Sequence, residues 1–423
     1  IVVQTQIRYN YLFHKILKQG GKNLENTLNN KWARGVIPAL LVSCSIGSVY
    51  AWSLFVQPLA DKFESSNAEI QFAFSLAIFF LGMSAAFAGK FVEHHIRLAT
   101  IVSTICFAFG LLTTALAIRQ ESLILLYLGY GVLMGIGLGI GYISPVKTLM
   151  LWFIHHKGLA TGIAITGFGI ASTIASPIIT YLQNKVSLEE TFIWLSVIYF
   201  IPMALASILI KKPEWYEEKE HGSHRQILRM FLDKRFLAIW IMIYINITSG
   251  LALISIASPL AIENGATTIF AATVVGIMGI FNVAGRLVYS SASDYLKNRN
   301  QIYLLIFILS IFSVSIAAVL QSSVMVTIML CIISSTYGAG FSCLPSLLAD
   351  KFGMDKISSI HGLALTAWAF AGLSGNQLST WIHDKTGSYT NVLYVLIILY
   401  AIGLLMTYVL IQSDRKQEGT KAA

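Results

Sequence analysis

Charge is what this chain has least of. Of its 423 residues, 12% are Asp, Glu, Lys or Arg and 56% are hydrophobic, a charged share about half that of a soluble domain. That composition excludes a soluble globular protein. Acidic residues are scarcer still, and no Asp or Glu stands deep inside any long apolar run. Cysteine is limited to Cys44, Cys106, Cys331 and Cys343, scattered through apolar stretches without metal or disulfide spacing. These read as small core residues. No Walker motif, metal-ligand cluster or nucleophile–base pair occurs, so neither an enzyme nor a cofactor is expected. One Gly-rich stretch, "GYGVLMGIGLGIGY" (129–142), matches a nucleotide loop in letters but lies within an apolar helix rather than after a strand. The N-terminal region lacks a short apolar core followed by a small-residue cleavage site, so the first helix is expected to remain as an anchor.

What is there is a succession of apolar runs long enough to cross a bilayer, about 20 residues each. They predict twelve helices near 35–60, 70–91, 98–118, 123–152, 158–183, 191–211, 236–262, 269–293, 301–320, 324–350, 359–383 and 392–411. The chain reads as an all-α polytopic membrane protein, expected as a monomer in lipid. Its net charge of +9 is a topology signal rather than a nucleic-acid footprint. With both termini cytoplasmic, the inside segments hold 23 Lys and Arg: 6 before the first helix, 7 from Lys211 to Arg235 and 10 elsewhere. The outside loops hold four, Lys62, Arg119, Lys185 and Lys385. This asymmetry is the positive-inside pattern of a multi-pass protein of an inner or plasma membrane. Two basic residues, Lys147 and Arg286, fall inside predicted spans.

The charged stretch 212–235 divides the chain. It predicts a cytoplasmic arm at 1–34, a six-helix bundle at 35–211, this central loop, a second six-helix bundle at 236–411 and a tail at 412–423. The halves echo each other at an offset near 200 residues. "GKFVEHHIR" (89–97) pairs with "SSASDYLKNR" (290–299), and "GYISPVKTLMLWF" (141–153) pairs with "GFSCLPSLLADKF" (340–352). "GLA" opens both the fifth and the eleventh helix, at Gly158 and Gly362. The shared offset indicates a duplicated six-helix unit in parallel orientation, a hallmark of rocking transporters whose site lies between the halves.

These residues carry a resemblance. Over nearly its full length the chain resembles the major facilitator superfamily, and within it the oxalate–formate antiporter family, which is related to monocarboxylate carriers. "GKFVEHHIR" looks like the superfamily's loop between helices 2 and 3, with Gly89, Glu93 and Arg97 in place and a degenerate middle. "SSASDYLKNR" is its second copy, keeping Asp294 and Arg299. The narrower likeness rests on "YAWSLFVQPL" in helix 1, "KGLATGIAITGFG" in helix 5, "FNVAGRLVYSSASD" in helix 8 and "AWAFAGLSGNQL" in helix 11. The resemblance implies the major facilitator fold, small carboxylate substrates, and an aromatic cage carried over by motif position to Tyr50, Tyr142, Tyr337 and Trp368. Two departures qualify it. Where oxalate-exchanging members have a helix 11 Lys this chain has Trp368, which favours a monoanion over a dianion. Where monocarboxylate carriers have an Asp one turn before the helix 8 Arg it has Asn282.

Arg286 is the residue the pattern singles out. It lies eight positions before Asp294, about 12 Å along a helix, where a charge costs roughly 2.5–3.5 kcal/mol even on the lenient insertion scale. Asn282, Arg286, Tyr289, Ser290 and Ser293 share one helical face, and a guanidinium suits a carboxylate because its planar fork donates two hydrogen bonds at once. A structural Arg bonding helix-end carbonyls or Asp294 is the alternative. Lys147 reads two ways: its stem reaches the headgroups, or it adds a second cation to the cavity. Gly89, Glu93, Arg97, Asp294 and Arg299 are expected to gate the cytoplasmic rim, as acids near helix N-termini with basic partners.

The expected function is a secondary carrier of a small organic anion such as formate, lactate or pyruvate. The alternatives are an oxalate-like dicarboxylate exchanger and a non-transporting membrane sensor that kept the fold. Without a buried carboxylate to carry protons the chain leans toward anion exchange, although histidine can substitute.

Overall fold

A computed structural model describes residues 30–216 and 229–422. Most of the expected N-terminal arm and the middle of the central loop therefore lie outside the described residues. Twelve helices are long and apolar enough to span a bilayer: α1 (Trp32–Ala51), α2 (Ala68–His94), α3 (Ile96–Gln120), α4 (Leu123–Trp152), α5 (Lys157–Gln183), α6 (Leu188–Leu209), α7 (Lys234–Glu263), α8 (Ile269–Ser293), α9 (Asn300–Leu320), α10 (Ser323–Phe352), α11 (Ile357–Thr386) and α12 (Thr390–Asp414). Helices are what such a composition dictates, because backbone N–H and C=O groups in hydrocarbon must pair within the segment. Six helices build each half, and the halves meet through α2 against α11 and α5 against α8.

The two ends of the bundle differ in how helices begin. At the end away from the central loop, α2 and α6 open on Ser–Glu capping boxes, Ser66 with Glu69 and Ser187 with Glu190. α4, α8 and α10 open there on Ser122, Thr267 and Ser322, whose hydroxyls accept the third backbone N–H. At the linker end, where α6 stops and α7 starts, α5 and α11 have no side-chain cap of their own, since His156 and Lys356 fill the cap positions. Those free N–H groups are satisfied from the opposite half, as described below.

The two halves pack closely at the linker end of the bundle. Gly158 and Gly162 of α5 pack on Ser290 of α8, and Gly89 of α2 packs on the Ser358–Ser359 backbone of α11. Beyond the level of Arg286, Gly276 and Gly279 of α8 face open space.

Two helices break where the halves converge. α1 tightens over Gly47–Ala51, which carries Tyr50 towards the interface. α11 is interrupted at Leu365, whose N–H reaches both His361 and Gly362 carbonyls, and Trp368 then donates its N–H to Leu365 at 2.9 Å. The indole of Trp240 secures this kink through Thr366 at 2.8 Å. Trp368 is thereby pushed into the interface.

Candidate functional site

Arg286 lies at the centre of the interface and is 2% exposed. Its Nε donates to Asn282 Oδ1 at 2.9 Å, and Nη1 donates across the interface to the Ile165 carbonyl of α5 at 3.1 Å. No carboxylate pairs with it among the described residues. A guanidinium has five N–H donors, and besides these two bonds the Tyr50 hydroxyl lies in reach of it. Close approach is allowed by glycine: a Cβ on Gly169 would stand 3.1 Å from Arg286 Nε, and one on Gly338 would stand 3.1 Å from Arg286 Cγ.

Around the guanidinium runs a chain of edge-on aromatic rings, three from each half. Tyr50 meets Phe168 at 5.1 Å between ring centres, Phe168 meets Tyr142 at 5.6 Å, and Tyr142 meets Trp368 at 5.5 Å. The chain continues from Trp368 to Phe341 at 4.5 Å and from Phe341 to Tyr337 at 5.2 Å. Arg286 stands 5.7 Å above the Phe341 ring, within cation–π range. The hydroxyls of Tyr50, Tyr142 and Tyr337 are buried, and that of Tyr50 lies in reach of both Tyr337 and Arg286. All three lie within the field of the Arg286 charge. Three buried hydroxyls grouped around one cation make a polar patch complementary to an anion. The residues expected at this site from sequence thus come together, with Lys147 as the exception.

Lys147 neither reaches the headgroups nor joins the cage. It is 1% exposed, ion-paired with Glu93 of α2, and donates to the Met354 carbonyl at 2.7 Å. Tyr216, just past α6, caps the ammonium from 5.2 Å. Tertiary pairing with a carboxylate 54 positions away decides its place, and no local spacing could have revealed that.

The residues expected at the gate form two related contacts between the halves. Glu93 Oε2 accepts the Ser358 N–H at the start of α11, at 2.8 Å. Asp294 accepts the Gly158 and Leu159 N–H groups at the start of α5, at 2.8 and 2.9 Å. Each acid ends a helix in one half and caps an uncapped helix N-terminus in the other, where the dipole favours negative charge. Arg299 braces the second contact by bonding Asp294 at 2.6 Å and Asp350 at 2.5 Å, and Lys157 reaches Asp350 across the interface at 3.1 Å. Arg97 departs from expectation. It donates to the Ser207 carbonyl at 3.1 Å, tying α3 to α6 within one half instead of partnering Glu93. Gly89 serves by its size, since any side chain would strike Ser359.

Phe168 and His361 were not singled out by sequence. Phe168 touches Tyr50, Tyr142 and Trp368, yet within "ITGFG" it is one apolar letter among many. His361 lies 1% exposed beside Tyr142, ring centres 5.9 Å apart. A histidine in an apolar helix is the signal that could have found it.

The fold and this interface define a polytopic transporter. Residues 39–376 match the family model of the Major Facilitator Superfamily, and the chain belongs to that family. It is 27% identical over 347 residues to the uncharacterized MFS-type transporter YhjX of Escherichia coli, covering 80% of this chain and 85% of that one. It is 25% identical over 403 residues to the oxalate:formate antiporter of Oxalobacter formigenes, covering 92% and 93%. Among solved structures, a bacterial homologue of the iron transporter ferroportin in an outward-facing state shares the fold, with a TM-score of 0.70 at 14% identity over 89% of this chain and 98% of that chain.

Proposed function

We propose that the protein moves a small organic monoanion, such as formate, lactate or pyruvate, across the membrane by alternating access, with Arg286 as the main anion-binding residue. One observation carries this reading: a buried guanidinium with no carboxylate partner among the described residues is ringed by three buried tyrosine hydroxyls. A carboxylate supplies what suits both, a negative charge and several acceptor lone pairs. A single cation suits one negative charge, and Trp368 fills the place where a second would favour a dianion. The basic loops support a cytoplasmic linker end, which is where the two halves pack most closely. Release inside then requires the Glu93 and Asp294 latches to open while the outer ends close.

The test is uptake of labelled formate, lactate, pyruvate and oxalate into proteoliposomes, with and without an anion inside. Monocarboxylate uptake by the wild-type protein, lost in Arg286→Ala and reduced about tenfold in Arg286→Lys, is the expected result. Uptake near wild-type level in both variants would sink the assignment of Arg286, and uptake of no carboxylate would sink the substrate class.

A further inference from the structure

One ring of the aromatic cage is seated against bare backbone. Gly250 lies buried on α7, and a Cβ there would stand 2.2 Å from Cδ2 of Tyr337, 2.8 Å from Cγ and 3.0 Å from Cε2. Ordinary contact between carbon atoms needs about 3.5–4.0 Å. A methyl at 250 therefore demands a shift of more than about 1 Å, which either a helix or the ring must supply.

The helices are pinned. One turn before Gly250, the Asn246 amide donates to the Thr336 carbonyl of α10 at 3.3 Å. A Cβ on Gly340 would fall 2.2 Å from Asn246 Oδ1, so α7 and α10 already touch there. Tyr303 of α9 donates to the Gly340 carbonyl of α10 at 2.8 Å. Against α8 the fit is as close, since a Cβ on Gly285 would fall 2.1 Å from the Ser335 carbonyl oxygen and one on Gly338 2.3 Å from that of Asn282. Interiors packed to this degree transmit strain rather than absorb it. The Tyr337 ring is the part that can move, because it turns about its own side-chain torsions. Its other neighbours are the Phe341 ring at 5.2 Å, the Tyr50 hydroxyl within hydrogen-bond reach, and the Arg286 charge. All three belong to the cage, so a ring displaced from α7 advances into it.

We propose that Gly250 sets the size of anion this carrier accepts, by letting the Tyr337 ring lie back against α7. This inference rests on the carboxylate reading above. Gly250 is a positioning residue, acting through the ring and touching no substrate itself. With the ring seated, the space beside Arg286 admits three-carbon acids such as pyruvate and lactate as well as formate. With a methyl at 250, the advanced ring meets the two-carbon remainder of the larger acids. The carboxylate end, which is nearly all that formate has, still reaches Arg286. A difference of one methylene in the room of a pocket separates substrates by about 10- to 200-fold.

The experiment reconstitutes wild type, Gly250→Ala, Tyr337→Ala and the double variant Gly250→Ala/Tyr337→Ala in proteoliposomes. It measures KM and kcat for formate, pyruvate and lactate, with Kd by calorimetry for any variant that no longer turns over. Gly250→Ala is expected to raise KM for pyruvate and lactate about tenfold or more, with formate KM and every kcat within about threefold of wild type. In the Tyr337→Ala background, which has no ring to displace, the same methyl is expected to leave the pyruvate-to-formate ratio within about threefold. A parallel loss for all three acids, or no change, makes Gly250 a packing residue and overturns the proposal. A ratio that shifts as far in the Tyr337→Ala background also overturns it, since the methyl then acts by another route. Tyr337→Ala alone gives a readout independent of how Gly250→Ala folds. Removing the wall is expected to improve 2-oxobutyrate relative to formate about tenfold, and an unchanged ratio overturns the proposal. Wild type that carries formate and neither larger acid overturns it too, leaving the carboxylate reading standing. Uptake of no carboxylate overturns both.

Discussion

Lys147 and Arg286 are the two buried cations of this interface, and they are provided for in opposite ways. Lys147 has its anion inside the protein, in Glu93, together with a carbonyl and an aromatic ring. Arg286 has an amide, a carbonyl and a ring, and no anion among the described residues. Both carry the desolvation cost of charge in hydrocarbon. In one case the fold offsets that cost with a partner that locks two helices together. In the other the offset is left for something that comes and goes. On the proposed function, the difference separates a structural cation from one positioned for cargo.

The comparison is broken most severely at Lys147. Lys147→Met strands Glu93 as a buried charge beside the α11 N-terminus, and removing one partner of a buried pair costs roughly 3–5 kcal/mol. A large fall in thermal stability is expected in detergent. The double variant Glu93→Gln/Lys147→Met recovers most of it, because the stranded charge is gone. A double variant as unstable as the single one would show that the pair is not what matters.

Arg286→Met is expected to do the reverse. It removes a charge that has no carboxylate partner, so thermal stability stays level or rises, while carboxylate uptake falls at least 100-fold, or about 2.7 kcal/mol of lost binding and transport. A fall in stability matching that of Lys147→Met would make Arg286 a structural residue and erase the contrast.

Asp294→Asn probes a milder version of the same question at the second latch. Asn keeps an acceptor for one of the Gly158 and Leu159 N–H groups, turns a donor toward the other, and gives up the charge that meets the helix dipole and Arg299. A loss of about 1–2 kcal/mol of closed-state stability follows, shifting the population towards the linker-open state by roughly 5- to 30-fold. Accessibility of single cysteines placed near residues 157 and 294 measures it, and an unchanged labelling rate would remove Asp294 from the gate.

The fold was legible in sequence because each helix announces itself by length and apolarity, and the duplication by a constant offset. Arg286 was legible for the same reason, since a charge in an apolar run has no local explanation. What stayed hidden was partnership. Lys147 and Glu93 are neighbours across two helices, and the Asp294 latch closes on backbone amides, which have no side-chain signature at all. Phe168 was hidden by its chemistry, because an aromatic residue in a membrane helix looks alike whether it packs or lines a site.

Lys212 sets the smallest effect and ties the first comparison to pH. Beyond α6, its ammonium donates to the Glu93 carbonyl at 2.6 Å beside Tyr216. Burial and then the nearby Lys147 charge push it down to about 8 from an ordinary 10.5, with Glu93 opposing. A docked lysine with a lowered value holds fewer protons than a free one between those two limits. Docking of the 210–216 segment therefore strengthens as pH rises from about 8 towards 10.5, and it is level with pH below that window. Hydrogen exchange of residues 211–216 is expected to slow across this range relative to an exposed reference segment, after correction for intrinsic base catalysis. Lys212→Met should abolish the trend, since it leaves nothing there to titrate, and a trend that survives in that variant would move its origin to another group at the gate.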